Sequence, residues 1–191
     1  MAERELLLSG IGGQGVQLAA QVVARAAVLE GREVSLFGSY GGMMRGGNTH
    51  ATVVVGDGPI VAPPTVSAAW GAVVMHHDYW DFVRDRLRAD SLLLVNSTVF
   101  VGDLDGPGVV VEVPATDLAF GLGSAMTASM VMVGALVALT GLVGLDAAAE
   151  AVARSLPPYR TEHGALNREA LRVGAGAVEA GAHPAWSGVT A

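Results

Sequence analysis

The sequence contains neither cysteine nor lysine, and each absence excludes a kind of chemistry. Without cysteine the chain forms no disulfide and offers no thiolate to zinc or to an iron–sulfur cluster. Without lysine it has no phosphate-binding lysine of the P-loop type. All eleven basic residues are arginine, they are scattered, and the net charge is −7. We therefore expect no nucleic-acid partner.

Charge is scarce as well, since 15% of the residues are charged and 51% are hydrophobic. This composition is typical of a folded protein with a large core, and it excludes disorder. We expect one α/β domain over residues 1–181, followed by a loosely held C-terminal tail over 182–191. Residues 1–5 are charged and the apolar run after them is short, so we expect no secretory signal and a cytoplasmic location.

One segment, residues 118–145, has no charged side chain and is long enough to span a bilayer. Glycine, serine and threonine interrupt it. The helix that it predicts, over 125–140, would be roughly 24 Å long, against about 30 Å for a membrane core. We therefore expect a helix buried in a core or a subunit contact, and no membrane partner.

A hydrophobic strand over residues 6–9 runs directly into a glycine-rich turn with the spacing G-x-G-x-x-G at Gly10, Gly12 and Gly15. An amphipathic helix follows and should end before Gly31. Such a unit directs free backbone N–H groups and the positive end of a helix dipole at one point, which suits an anion, usually a phosphate. The candidate binding residues in this turn are Gly10, Ile11, Gly12, Gly13, Gln14 and Gly15.

A nicotinamide dinucleotide site would also need an acidic residue at the end of the second strand. That strand, predicted over 33–37, has Glu33 at its beginning, and Glu30 lies on the preceding helix. The pattern therefore disfavours NAD. The alternative that the glycines only permit a tight join between strand and helix stays open.

A second glycine-rich loop, residues 38–47, contains a single arginine, Arg45. A guanidinium group binds phosphate or carboxylate well. In a doubly wound sheet the loops after the first two strands emerge at the same edge. The apolar residues Tyr40, Met43 and Met44 indicate that a partner covers this loop, although a mobile surface loop is the alternative. The candidate binding residues here are Ser39, Tyr40, Arg45, Gly46 and Gly47.

The remaining patterns predict a three-layer α/β/α fold of Rossmann-like type, with a mixed, mostly parallel sheet and helices on both faces. A return strand at 60–61 should form a hairpin with the strand at 49–55. Asp78 should cap a helix over 79–87. The other predicted strands are 69–75, 91–96 and 109–113, and the other predicted helices are 116–120, 125–140, 146–155 and 166–180.

The sequence shows no catalytic constellation, neither a G-x-S-x-G elbow nor a carboxylate pair beside a glycine loop. His76 and His77 follow a strand, and adjacent residues in an extended chain point to different sides. We therefore expect no metal ligand and no catalytic residue in this chain, which favours a component of a larger enzyme.

Together, the two glycine loops resemble the signature loops of the gamma subunit of 2-oxoacid:ferredoxin oxidoreductases, a module that also forms one domain of single-chain pyruvate:ferredoxin oxidoreductase. The resemblance covers about residues 5–175. It departs at Met43, where the family often has Glu, and at Ser129, where Asn is usual. Further segments fit in the same order: Pro59-Ile60, Asn96-Ser97, 130–135, Leu166-Asn167, Ala170, Leu171 and Gly174.

This resemblance implies a share in the oxidative decarboxylation of a 2-oxoacid to acyl-coenzyme A and CO2. Thiamine diphosphate and iron–sulfur clusters would lie on partner subunits of alpha, beta and delta type, and electrons would pass to ferredoxin. The chain would be inactive alone, and coenzyme A would contact its glycine turn and Arg45. The resemblance leaves open which oxoacid is used and whether the isolated chain forms a homodimer. A free-standing nucleotide-binding protein and a purely structural docking subunit are the alternatives.

Overall fold

The computed structural model describes residues 2–40, 47–63, 65–155 and 162–186. The described chain forms one sheet, with helices on both of its faces. The strands are β1 Glu3–Ile11, β2 Glu33–Tyr40, β3 Asn48–Gly56, β4 Ala69–Val74, β5 Leu87–Asn96 and β6 Val109–Val113. The α-helices are α1 Val16–Leu29, α2 Trp80–Arg84, α3 Ala115–Gly121, α4 Ala128–Thr140, α5 Leu145–Ser155 and α6 Glu162–Gly176, and short 3-10 helices lie at His77–Tyr79 and Ala125–Thr127.

The strand order is β2-β3-β1-β4-β5-β6. Strand β3 runs antiparallel to both of its neighbours, and the other pairs along the sheet are parallel. The prediction of a mixed, mostly parallel sheet is confirmed. The predicted return strand at 60–61 is wrong, because β3 is inserted between β1 and β2 and both of its hydrogen-bonding edges are taken.

The two faces of the sheet are covered unequally. Leu6 and Leu8 of β1 point into the larger core, where α1, α4 and α5 pack. Leu7 points to the other face, which is covered mainly by α2 through Trp80 and Val83. We call these the α1 face and the α2 face. The alternation along β1 therefore places successive residues in two different cores.

Helix α4 is buried along almost its whole length, as the sequence predicts. It crosses α6 very closely: a Cβ added at Gly134 would collide with the Leu171 carbonyl, and one at Gly174 would collide with the Val131 carbonyl. The two glycines thus let the two backbones touch. Among the helices that the structure describes, none has the length and apolar character to cross a membrane.

Two local predictions are wrong. His76, not Asp78, caps the segment after β4, since its Nδ1 accepts a hydrogen bond from the Asp78 N–H, and a 3-10 turn precedes the short α2. The tail is also not loosely held as far as residue 186. Trp186 is 7% exposed, donates from Nε1 to the Leu142 carbonyl at 3.1 Å and stacks under Arg32 at 4.0 Å.

We expect Gly134→Ala to destabilise the protein by about 1–3 kcal/mol, because the added methyl group forces α4 away from α6. Chemical denaturation of the purified variant measures this. Gly176→Ala is the matched control, because its Cβ would meet no described atom. Equal stability of the two variants would contradict the close helix contact.

Candidate functional site

The glycine turn joins β1 to α1 and depends on backbone shapes that favour glycine. Gly13 and Gly15 have φ angles of 102° and 78°. Gly15 is the N-cap of α1, and a Cβ there would lie 2.5 Å from Oγ of Ser129 at the start of α4. Both conformation and contact therefore require glycine at position 15, and α1 begins directly against α4.

Gln14 holds the turn against the neighbouring strand. The Ile11 N–H donates to its Oε1 at 3.0 Å, and its Nε2 donates to the Met75 carbonyl at 3.2 Å. A Cβ at Gly10 would approach the same Oε1 to 2.6 Å. Because both ends of its amide are engaged inside the protein, Gln14 is a positioning residue rather than one facing a ligand.

The two glycine loops meet at one edge of the sheet. The Gly12 N–H donates to the Gly47 carbonyl at 2.9 Å. Gln17, in the first turn of α1, donates from Nε2 to the carbonyls of Ser39 at 3.3 Å and His50 at 2.9 Å. Tyr40, the last residue of β2, pairs with Thr49 at this edge.

Of the predicted site residues, most therefore lie together at the edge formed by the ends of β1 and β2. Arg45 and Gly46 lie outside the described residues, as does Met43. Gly12, Gly13, Gln14, Gly15 and Gly47 lie in the segments that connect the strands and α1. The strands are longer than predicted, because Gly10 and Ile11 belong to β1 and Ser39 and Tyr40 belong to β2.

This edge can hold an anion. Within the described part of the chain, the N–H groups of Gly13, Gly15 and Val16 have no acceptor. They lie at the N-terminus of α1, where the helix dipole is positive. The acidic residue of β2, Glu33, lies at the opposite end of that strand. The arrangement thus suits a phosphate or carboxylate and lacks the ribose-binding acid of an NAD site.

A cavity of about 350 Å³ opens one helical turn from Gly15. The described residues that line it include no carboxylate, and Met126 among them is 71% exposed. It therefore offers space for an uncharged part of a ligand next to the anion-binding turn. The lining residues are Leu18, Ser124, Met126, Thr127, His163, Leu166 and Asn167.

A polar cluster that the sequence did not predict lies below this edge on the α2 face. Ser9 of β1 is directly opposite His50 of β3, and Asn48 is two residues along. Ser9 Oγ, Asn48 Oδ1 and His50 Nδ1 are buried without a partner in the described chain. The only indication of this cluster in the sequence is that β3 begins with the polar residues Asn48, Thr49 and His50. Buried polar atoms of this kind need a ligand or water.

The pKa of His50 is lowered from its ordinary value, first by burial and then by the positive charge of Arg86. Its ring packs 4.6 Å from that of Phe82 in α2. The imidazole is therefore held in its neutral form near neutral pH.

The two adjacent histidines do not point to different sides, so this expectation is wrong. Their rings stack with centroids 4.4 Å apart, and Asp78 Oδ1 lies 3.5 Å from His76 Nδ1 and 3.2 Å from His77 Nε2. The reason is that His76 is extended whereas His77 begins a 3-10 turn, so the alternation of a strand no longer applies.

Strand, glycine turn and helix at the carboxyl edge of a mostly parallel sheet define an α/β domain of Rossmann-like type. The family model described as pyruvate ferredoxin/flavodoxin oxidoreductase matches residues 5–177. The chain belongs to this family, and the resemblance seen in the two glycine loops is confirmed.

Known relatives cover nearly the whole domain. The 2-oxoglutarate synthase subunit KorC of Methanothermobacter thermautotrophicus is 34% identical over 176 residues, which are 88% of this chain and 93% of that subunit. The gamma subunit of keto/oxoacid ferredoxin oxidoreductase from Geobacter sulfurreducens has a TM-score of 0.79 at 30% identity, covering 93% of this chain and 97% of the other.

A larger protein contains the same fold. The 2-oxoglutarate:ferredoxin oxidoreductase of Magnetococcus marinus, solved with 2-oxoglutarate, coenzyme A and succinyl-CoA bound, has a TM-score of 0.81 at 18% identity. The match covers 94% of this chain but 32% of that one. At this identity the likeness concerns the fold, which there forms part of a longer chain.

We expect the free energy of unfolding to fall as the pH decreases below about 6.5, the ordinary pKa of histidine. Below that pH His50 binds a proton in the unfolded state but not in the folded state, where its pKa is lower. The folded state therefore loses stability until the pH falls below the folded-state pKa of His50. Urea denaturation between about pH 7 and pH 5 measures the slope. The slope should shrink in His50→Gln and persist in the control His183→Gln; an unchanged slope in His50→Gln would refute the assignment.

Proposed function

We propose that this chain is the gamma subunit of a multi-subunit 2-oxoacid:ferredoxin oxidoreductase. The complex would convert a 2-oxoacid and coenzyme A to acyl-coenzyme A and CO2, with reduction of two ferredoxins. Membership of the family supports this proposal, and so does the identity to subunits of such enzymes. The absence of cysteine requires that any iron–sulfur cluster lie on another subunit.

In this proposal the chain binds one anionic end of coenzyme A. The observation that carries it is the hydrogen bond from Gly12 to Gly47, which brings the two glycine loops together. Beside it are the N–H groups of Gly13 and Val16, which have no acceptor among the described residues. A phosphate would accept hydrogen bonds from those groups and gain from the dipole of α1. The cavity at Leu18 and Met126 would take an uncharged part of the molecule.

Thiamine diphosphate, on a partner subunit, would supply the carbanion chemistry of decarboxylation. The described glycine turn has no side-chain acid or base directed at a ligand, so its contribution is binding and orientation. Because positioning alone lowers a reaction barrier, the turn would still affect the rate.

A purely structural docking role is the second candidate. Phe120 and Met126 are 65% and 71% exposed and lie six residues apart in the chain, and Met126 also lines the cavity. Exposed large apolar side chains are typical of surfaces that a partner covers. The coenzyme A KM of a variant in the glycine turn separates docking from ligand binding.

We expect Gly13→Ala to raise the KM of the reassembled complex for coenzyme A by about tenfold, equivalent to about 1.4 kcal/mol of lost binding. The new methyl group would project from the turn at the point where the anion lies, since a Cβ at Gly13 meets no described atom. Steady-state kinetics with varied coenzyme A and fixed oxoacid measure the effect.

Gly31→Ala is the matched control, because Gly31 also has positive φ and open space but lies at the far end of α1. The two variants should lose similar stability, and only Gly13→Ala should change the KM. An unchanged KM in Gly13→Ala, with normal assembly of the complex, would leave docking as the role of the turn.

The purified single chain should be colourless, bind no thiamine diphosphate and show no oxidoreductase turnover. Activity should appear only after co-expression with partner subunits. It is to be measured as oxoacid-dependent ferredoxin reduction with a panel of pyruvate, 2-oxoglutarate, branched-chain and aryl oxoacids. Turnover by the chain alone would overturn the assignment, and tight binding of adenine nucleotides by it would favour a free-standing nucleotide-binding protein.

A further inference from the structure

We propose that His76, His77 and Asp78 form a binding site for a divalent transition-metal ion, with zinc as the best match. The three residues follow β4 and lie at the same edge of the sheet as the glycine turn. The proposal rests on the geometry of these side chains and is independent of the proposed subunit function.

The three donor atoms converge. Asp78 Oδ1 lies 3.5 Å from His76 Nδ1 and 3.2 Å from His77 Nε2, and all three atoms lie within 4.8 Å of one another. Ligand atoms about 2.0–2.1 Å from a tetrahedral zinc ion are separated by about 3.4 Å. The two separations that involve Asp78, 3.5 and 3.2 Å, match this value, so the carboxylate can share one ion with the histidines.

The contact of His77 with Val99 fixes which of its nitrogens can bind a cation. Nδ1 lies 3.1 Å from the Val99 carbonyl, which can only accept, so Nδ1 carries a hydrogen. In the neutral ring the lone pair is then on Nε2, and it faces the carboxylate oxygen of Asp78. At this distance the two atoms are held together by a cation, either a proton on Nε2 or a metal ion between them. A backbone carbonyl that orients a histidine in this way is the usual support of a metal ligand.

His76 also presents an unprotonated nitrogen, because its Nδ1 accepts a hydrogen bond from the Asp78 N–H. This bond is 3.2 Å long, at the weak end of the range, so a metal ion can replace it. The stacked rings keep both imidazoles on the same side of Asp78.

The site is accessible and is held next to the anion-binding turn. The Asp78 side chain is 52% exposed, which leaves a route for the ion and room for water at its remaining positions. Met75, whose carbonyl accepts from Gln14, directly precedes His76. Two imidazoles and one carboxylate suit zinc and related ions better than magnesium or calcium, which prefer oxygen ligands alone.

Zinc binding to the tag-free, metal-free chain at neutral pH, measured by calorimetry, tests the proposal, with visible absorption of the cobalt-substituted protein as the second readout. We expect one ion per chain, with affinity at least tenfold weaker in both His77→Gln and Asp78→Asn. His183→Gln is the control and should bind normally.

Circular dichroism shows whether each variant is folded. If His77→Gln does not fold, the test uses Asp78→Asn, which preserves the shape of the side chain. Absence of saturable one-to-one binding by the unaltered chain would overturn the proposal, and so would equal affinity of folded variants and control. The two proposals fail separately, because metal binding is measured on the single chain and the coenzyme A KM on the reassembled complex.

Discussion

The candidate site depends on how β3 pairs. Because β3 lies antiparallel between β1 and β2, the last residue of β1, Ile11, is opposite the first residue of β3, Asn48. The residues just beyond this pair, Gly12 and Gly47, are then adjacent, and their hydrogen bond closes the edge. The meeting of the two loops is thus a consequence of strand register and requires no ligand. An edge formed before binding loses less entropy when a ligand arrives.

Helix packing in the core also helps to fix the position of the glycine turn. Gly134 and Gly174 allow α4 and α6 to touch, and this contact fixes α4 within the larger core. The first turn of α4 carries Ser129, which lies against Gly15 at the start of α1. A glycine pair far from the edge therefore helps to set the direction of the α1 dipole. Ser129 thus lies at a point where the available space is very small.

Local patterns predicted the strand–turn–helix unit, the buried α4 and the family, since each depends on neighbours in the sequence. The partners of β3 could not be predicted, because the apolar run at 51–55 fits a hairpin equally well and strand choice is non-local. The burial of Trp186 depends on Leu142 and Arg32, which are remote in sequence. The stacking of His76 and His77 depends on the residue at which β4 ends and the 3-10 helix begins. The boundaries of helices and strands are the least predictable feature of a sequence.

The edge offers different chemistry on its two faces. On the α1 face, backbone N–H groups at Gly13 and Val16 provide positive potential without a formal charge. On the α2 face, Ser9, Asn48 and His50 are buried polar groups without described partners, and His50 is kept neutral by burial and by Arg86. The neutral imidazole adds no formal charge to the edge, and its Nδ1 costs free energy while it has no hydrogen-bond partner. This cost falls when a water molecule or another polar group supplies the missing hydrogen bond.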